Sequence, residues 1–398
     1  MKNKSAQKTK STQLSTQLLM LFGFLFIIVI IFFFFPQFFS GSTTYSQTQK
    51  IVGDTQTKDP AVIQPQQKIL LPLDKVAYDA KMLLLANNPP DPIVYNTIKT
   101  VTKDAKGKSI TTTTKVPLDP QPVRTHLWPV KTVYPNAGAI LPFNRIIAYY
   151  GNLYSTKMGV LGQYPEDEML ARLKVEVDKW TAADPATPAI PALHYIAVVA
   201  QGSAGTDGKY RARMPSSEID KVIAMAAKIN GLVFLDIQVG LSNVQTEVPL
   251  LQKYLKLPNV HLGLDPEFSM KTGAKPGKVI GTMDATDINF AVNYLDKLAT
   301  DNNLPPKILV VHRFTQGMVT NVANIKPTSN VQIIMNMDGW GGQAKKIGTY
   351  KNFIYPQPVQ FTGFKLFYKN DVLTAGTTLM TPETLLKLNP QPIYIQFQ

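Results

Sequence analysis

Residues 260–268 read Val260-His-Leu-Gly-Leu-Asp-Pro-Glu-Phe268. The run from Val260 to Leu264 is short and largely apolar, as expected of a strand buried on both faces. Pro266 fixes its own φ and removes a ladder donor, so the strand should end there. Asp265 and Glu267 are two apart, and on a strand that spacing turns both side chains to one side. Two carboxylates held together at a strand end repel each other and lose solvation. That cost makes Asp265 and Glu267 the first candidates for chemistry.

The same pattern extends on either side. Strand candidates lie at Ile146–Tyr150, Leu193–Ala200, Leu232–Gln238, Val260–Asp265, Ile308–His312, Val331–Met337, Phe361–Phe367 and Ile393–Phe397. Between them the spacing predicts helices at Pro165–Ala182, Ser216–Asn230, Thr246–Leu257, Asp284–Asp301, near Met318–Ile325, near Gly342–Thr349 and at Pro382–Leu388. Strands alternating with helices imply a parallel sheet covered by helices. Eight strands is the closure number of the β/α barrel, and about 250 residues is its usual size. The fold class read from residues 145–398 is therefore α/β, a (β/α)8 TIM-like barrel lacking a C-terminal eighth helix. A doubly wound open sheet is the alternative.

Residues 71–144 should hold a helix, a hairpin and a lead-in strap packed on the barrel. The helix spans 72–87, with Asp74 as N-cap and Pro89-Pro90 as its stop, and is expected to fill the missing-helix gap or close the barrel's bottom. Ile98-Lys-Thr-Val-Thr and Ile110-Thr-Thr-Thr-Thr flank Asp104-Ala-Lys-Gly-Lys, which reads as an exposed hairpin. Residues 40–70, rich in Ser, Thr, Gln and Pro, read as a flexible stalk.

Ahead of the stalk, Lys2, Lys4, Lys8 and Lys10 precede an uncharged apolar run from Leu18 to Phe35. Its length reaches the lower limit for a bilayer span. The lysines predict a cytoplasmic tail at 1–17, a transmembrane signal anchor at 18–39 and an extracytoplasmic barrel, giving a single-pass cell-membrane protein. The competing reading is a cleaved signal peptide, with Ser40-Gly41-Ser42 near the cleavage site and a secreted product.

The chain has no cysteine, which excludes disulfides, thiolate metal sites and lipid attachment through Cys. Its net charge of +14 is spread thinly along the chain. Without a basic stripe or a supporting motif, nucleic acid is not an expected partner; the membrane and a glycan substrate are. The glycines of Gly202-Ser-Ala-Gly-Thr-Asp-Gly208 lack phosphate-loop and dinucleotide spacing. No Gly-x-Ser-x-Gly elbow is present. No cofactor and no resident metal are expected.

In a β/α barrel the chemistry sits at the carboxyl ends of the strands. In strand order those ends present Tyr150 and Asn152, Gln201, Asp236 and Gln238, Asp265 and Glu267, His312 and Arg313, Asp338 with Trp340, Lys365 and Tyr368, and finally Gln396. Glu267, Asp265 and Asp338 form the catalytic candidates, and the others the substrate-binding candidates. Trp340, flanked by glycines, is a candidate sugar-stacking platform. Lys365 is a candidate charge partner of Asp338 or Glu267. His194 and His261 fall at predicted strand starts, where a packing role is expected, leaving His312 as the one histidine at the mouth.

Residues 146–398 resemble a family of uncharacterised bacterial exported proteins. The resemblance rests on Tyr149-Tyr-Gly-Asn-Leu-Tyr-Ser155, Pro191–Gln201, Gly263-Leu-Asp-Pro-Glu-Phe-Ser-Met270, Val311-His-Arg-Phe-Thr-Gln316, Met337-Asp-Gly-Trp-Gly341 and Phe361–Asp371. It implies export and a barrel rather than a reaction. More loosely, Tyr149-Tyr150, Asp265-Pro-Glu267 and Met335-Asn-Met-Asp338 resemble the first, fourth and sixth strand ends of chitinase-type glycoside hydrolases; muramidase-type barrels also carry an Asp-x-Glu. That resemblance implies Glu267 as the acid, with Asp265 and Asp338 orienting a substrate acetamido group. The chain departs from the chitinase pattern at Val260 and Gly263, where that family has aspartates, and at Tyr394 or Gln396, where it has tryptophan.

Three functions follow. The first is a surface-tethered carbohydrate-active barrel of the glycoside hydrolase kind, with Glu267 as general acid. The second is a non-catalytic envelope binding or scaffold barrel. The third is a metal-assisted phosphodiester hydrolase using His312 with the mouth carboxylates. The third would need two histidines at the mouth.

Overall fold

The computed structural model describes residues 72–122 and 125–398. The tail, anchor and stalk expected at 1–17, 18–39 and 40–70 lie outside those residues. Among the described residues no helix is long and apolar enough to cross a membrane.

Helix α1 (Lys75–Ala86) starts at Asp74, whose side chain accepts from the Ala77 amide at 2.9 Å. It stops at Asn87, which takes the left-handed conformation at φ 49°. Strands β1 (Tyr95–Lys103) and β2 (Ser109–Pro117) pair antiparallel around a turn in which Asp104 accepts from the Lys106 and Lys108 amides. Every residue of both strands is exposed.

The barrel follows. Its strands are β3 (Arg145–Gly151), β4 (Ala189–Ala200), β6 (Leu232–Ile237), β7 (Val260–Leu264), β9 (Lys307–Arg313), β11 (Val331–Met337), β12 (Phe361–Leu366) and β13 (Tyr394–Phe397). Each pairs in parallel with the next, and β13 pairs with β3, so the ring closes. Closure overturns the open-sheet alternative. Short β5 (Arg211–Arg213) adds antiparallel to the end of β4, and β8 (Met283–Asp284) pairs with β10 (Val319–Thr320) outside the ring. The outer layer comprises α2 (Glu166–Ala183), α3 (Ser216–Lys228), α4 (Val244–Glu247), α5 (Gln252–Leu255), α6 (Ala285–Asp301), α7 (Gln343–Thr349) and α8 (Pro382–Leu385).

Local chemistry explains these boundaries. Glu166, Asp167 and Glu168 occupy the first turn of α2, where the helix dipole favours acids. Asp284 and Asp287 close a capping box on α6. Ile288, Ala291, Val292, Leu295, Leu298 and Ala299 then form the buried stripe of α6. The helix expected at 246–257 is interrupted by a 3-10 turn at Pro249–Leu251, because Pro249 has no N–H to continue an α ladder. The segment near 318–325 forms 3-10 turns at Gln316–Met318 and Val322–Asn324 around β10 instead of one helix.

Among the described residues two large apolar cores result, beside a small cluster of Tyr150, Ile196 and Val199. One lies between the ring and the outer helices. The other fills the lower lumen with Ile146, Ala148, Ala192, Phe234, Ile308, Val310 and Ile334, and Tyr78, Met82 and Leu85 of α1 belong to it. Each of the Ile, Val, Phe, Leu and Met side chains among them, taken from water, contributes about 1.5–3 kcal/mol. Helix α1 thus seals the end of the lumen opposite the strand carboxyl termini.

One boundary matters for function. Strand β4 begins at Ala189, four residues before the expected start, although Pro191 lies within it. Pro191 pairs with β3 only; pairing with β6 starts at Ala192. A proline is tolerated where one side of the strand has no ladder to feed. The earlier start moves His194 from the expected strand start to mid-strand.

Candidate active site in the barrel lumen

Inward-facing side chains alternate along each strand, so the lumen is built in layers. Above the apolar layers the lumen turns polar. Asp236 on β6 sits at its centre, fully buried. Its Oδ2 accepts from the Tyr150 hydroxyl at 3.0 Å, while Oδ1 lies 3.4 Å from His194 Nε2 and 3.7 Å from His312 Nε2. Both imidazoles are anchored through their other nitrogen. His194 Nδ1 meets the Tyr394 hydroxyl at 2.6 Å, and His312 Nδ1 meets Asp338 Oδ2 at 3.1 Å. Tyr394 in turn accepts from Gln396 Nε2 at 3.0 Å, and Asn336 Nδ2 approaches Gln396 Oε1 at 3.5 Å.

One layer higher, Gln238 Nε2 donates to Asp265 Oδ2 at 3.1 Å and to the Tyr150 hydroxyl at 3.3 Å. Gln238 Oε1 accepts from the Ala200 amide. Strand β7 ends at Leu264, and Asp265 N-caps a 3-10 turn over Pro266–Phe268 by accepting from the Glu267 amide at 3.2 Å. Glu267 therefore belongs to a turn, and the two-residue strand periodicity does not place it. The turn still brings it to the mouth, half-buried, where it interacts electrostatically with Asp265, Asp338 and Lys365. The Lys365 ammonium rests 3.8 Å from the centre of the Tyr150 ring.

This crowding sets the charges. Burial, and then the neighbouring Asp265 and Asp338, hold the Glu267 carboxyl well above the usual carboxylate range. Burial pushes Asp265 up to about 7, and Asp236 and Asp338 reinforce the shift. Asp236 goes the other way, down to about 2: burial opposes its charge, but His312, His194 and Tyr150 outweigh it. Burial lowers His194 to about 4. The same burial acts on His312, yet Asp236 and Asp338 keep it above its ordinary value. Desolvation lowers Lys365 against the pull of Asp338, Asp265, Asp236 and Glu267. Neighbouring acids driven in opposite directions are a common signature of a working site.

Of the residues expected at the mouth, Glu267, Asp265, Asp338, Tyr150, Asp236, Gln238, His312, Lys365 and Gln396 fall in this connected group. Five others do not. Arg313 points away from the lumen because it follows inward-facing His312; its guanidinium donates to the Thr315 and Gln316 carbonyls. Tyr368 packs on Tyr149 and Phe397, with its hydroxyl 3.2 Å from that of Tyr149. Asn152 donates to the Ile196 carbonyl and accepts from the Tyr154 amide, fixing the turn after β3. Gln201 pairs through its backbone with Tyr210 beside β5. Trp340 is partly exposed on the loop after β11, with the Lys345 ammonium 4.8 Å from its ring centre.

The expectation of a single mouth histidine is corrected. His194 is in the group, together with Tyr394 and Asn336. The signal for His194 was register: Tyr150 pairs with it directly across β3 and β4. His261 stays in a packing role, tilted against Phe234 and accepting from the Ile308 amide at 3.1 Å.

Fold and lumen together define a closed parallel (β/α)8 barrel with a buried, charged, hydrogen-bonded group toward the strand carboxyl ends. No family model matches the chain, and no curated protein does either. Among solved structures it is similar to GH26C from Muricauda sp. MAR_2010_75, with 12% identity and a TM-score of 0.26 over 63% of this chain and 70% of that one. A likeness at that level carries no argument about the site.

Proposed function

We propose that the barrel hydrolyses a glycosidic bond, with Glu267 as general acid. The observation that carries this reading is the setting of Glu267: a half-buried carboxyl at the mouth beside Asp265 and Asp338, with burial and those two acids raising it well above the usual carboxylate range. An acid with a raised pKa beside other carboxylates suits donation to a leaving oxygen. Glu267 would pass its proton to the glycosidic oxygen as the bond to the anomeric carbon breaks. The site of the common second glutamate, on the seventh barrel strand, is taken by Lys365. That favours the route in which the substrate's own acetamido oxygen stabilises the anomeric carbon. Asp265, positioned by Gln238, and Asp338, positioned by His312, would orient that group. Water would then add, with Glu267 taking its proton. Envelope or extracellular N-acetylated glycans are the proposed substrates, and the apolar run at 18–39 the proposed tether.

The test is release of reducing ends from peptidoglycan and chitin-type polymers by the full-length chain, beside Glu267→Gln. Turnover at least 100-fold lower in the variant is expected. Equal turnover removes Glu267 from the mechanism, and glycan binding without turnover in either protein favours an envelope binding barrel.

A further inference from the structure

We infer that His194 Nε2, His312 Nε2 and Asp236 Oδ1 form a binding site for one divalent transition-metal ion of the zinc class. Among the described residues, these three ligand atoms all lie within 4.8 Å of one another. All three are buried and have no hydrogen-bond partner. Leaving three such atoms unmet costs about 1–3 kcal/mol each, more where charge is involved. Direct pairing between them does not remove that cost. The separations of 3.4 Å and 3.7 Å from Asp236 Oδ1 exceed the roughly 2.7–2.9 Å of a charge-assisted hydrogen bond. They sit close to the ~3.3 Å separating two ligands held about 2.0–2.1 Å from a tetrahedral zinc ion.

The surroundings make a second, independent argument. Each candidate ligand is anchored through its other polar atom: His194 by Tyr394, His312 by Asp338 and Asp236 by Tyr150. Metal sites use such outer contacts to fix which nitrogen faces the ion and to hold the ring orientation. Gly263 keeps the space in front of the group open. A Cβ built there would lie 2.5 Å from both Asp236 Oδ1 and His194 Nε2. Two imidazoles and one carboxylate leave a tetrahedral ion one open position, the pattern of a catalytic rather than a closed structural site. The three ligands lie on β4, β6 and β9, with Asp236 two residues before Gln238 and Glu267 not among them, so the inference stands independently of the Glu267 reading.

The full-length chain, stripped with a chelator and dialysed, is titrated with Zn2+ and separately with Co2+. One equivalent of each is expected, with the intense visible absorption of four-coordinate Co2+. His194→Gln, His312→Gln and Asp236→Asn should each weaken binding at least 100-fold, while His126→Gln, a change in the lead-in strap, leaves it unaltered. Co2+ absorption of the wild-type chain serves as the readout that needs no variant to fold. Absence of saturable binding of either ion by the folded wild-type chain overturns the inference. So does one-equivalent binding that persists in all three folded variants.

Discussion

Gln238 Nε2 donates to Asp265 Oδ2 at 3.1 Å, tying the third barrel strand to the turn that ends the fourth. The bond does not relieve Asp265 of its burial, and its pKa stands near 7. The folded chain therefore holds this proton more tightly than the unfolded chain does. That contribution to stability is complete below about pH 4 and is lost as pH rises toward 7. Asp265→Asn keeps an acceptor for Gln238 and removes the titration. Its unfolding temperature is expected to exceed that of the wild type at pH 8, by the equivalent of about 0.5–2 kcal/mol, with a smaller gap at pH 5. Thermal melts across that range check this, and an unchanged gap would contradict it.

Gly263 is required by space, not by backbone freedom. A Cβ there meets Asp236 Oδ1 and His194 Nε2 at 2.5 Å and His194 Cε1 at 2.9 Å. Since both partners are anchored on their far sides, Gly263→Ala is expected to cost about 1–3 kcal/mol. Urea unfolding measures the loss.

Glu247 is fully buried, yet it accepts from Arg211 at 2.9 Å, Arg213 at 2.7 Å and Ser242 at 2.5 Å. Burial raises its pKa, but Arg213, Ser242 and Arg211 outweigh burial and hold it below the usual range. The cluster pins β5, and with it the loop after β4, to α4 beside the mouth. Glu247→Ala leaves Arg213, which is partly exposed, without its anion and Arg211 with Asp207 alone, at an expected cost of about 1–3 kcal/mol. Chemical denaturation reads the cost directly.

Lys307 starts β9 with its ammonium on the Leu257 and Val260 carbonyls at 2.6 Å and 3.0 Å. Burial brings its pKa down to about 7. The folded chain thus releases this proton more readily than the unfolded chain, and stability should rise with pH between about 7 and 10.5. Lys307→Met is expected to lack that rise. Denaturation midpoints at pH 7 and pH 9.5 for both proteins test the difference.

Much of the barrel was legible in the sequence because short β-branched runs between amphipathic segments have few other uses. Val331–Met337 was read with its full bounds, and the Asp74 cap and the acidic first turn of α2 were visible as residue types. The polar rise from Asp236 to Gln238 and from Asp265 to Glu267 also located the mouth. Pro191, in contrast, hid the start of β4, since a proline's fitness in a strand depends on which side has a neighbour. Arg313 and Tyr368 looked like mouth residues because they follow strand ends. Their direction depends on the phase of an alternation that the neighbouring strands set.

The sequence by itself determined that eight buried strands would alternate with helices and that carboxylates would gather at the fourth strand's end. These follow from residue type and period, which are local properties. Only the tertiary structure decided that His194 joins His312 around Asp236, that Glu267 reaches the mouth through a turn, and that α1 seals the opposite end. Each of these depends on register around a closed ring, where a side chain's neighbours come from strands tens of residues away and are fixed by closure itself.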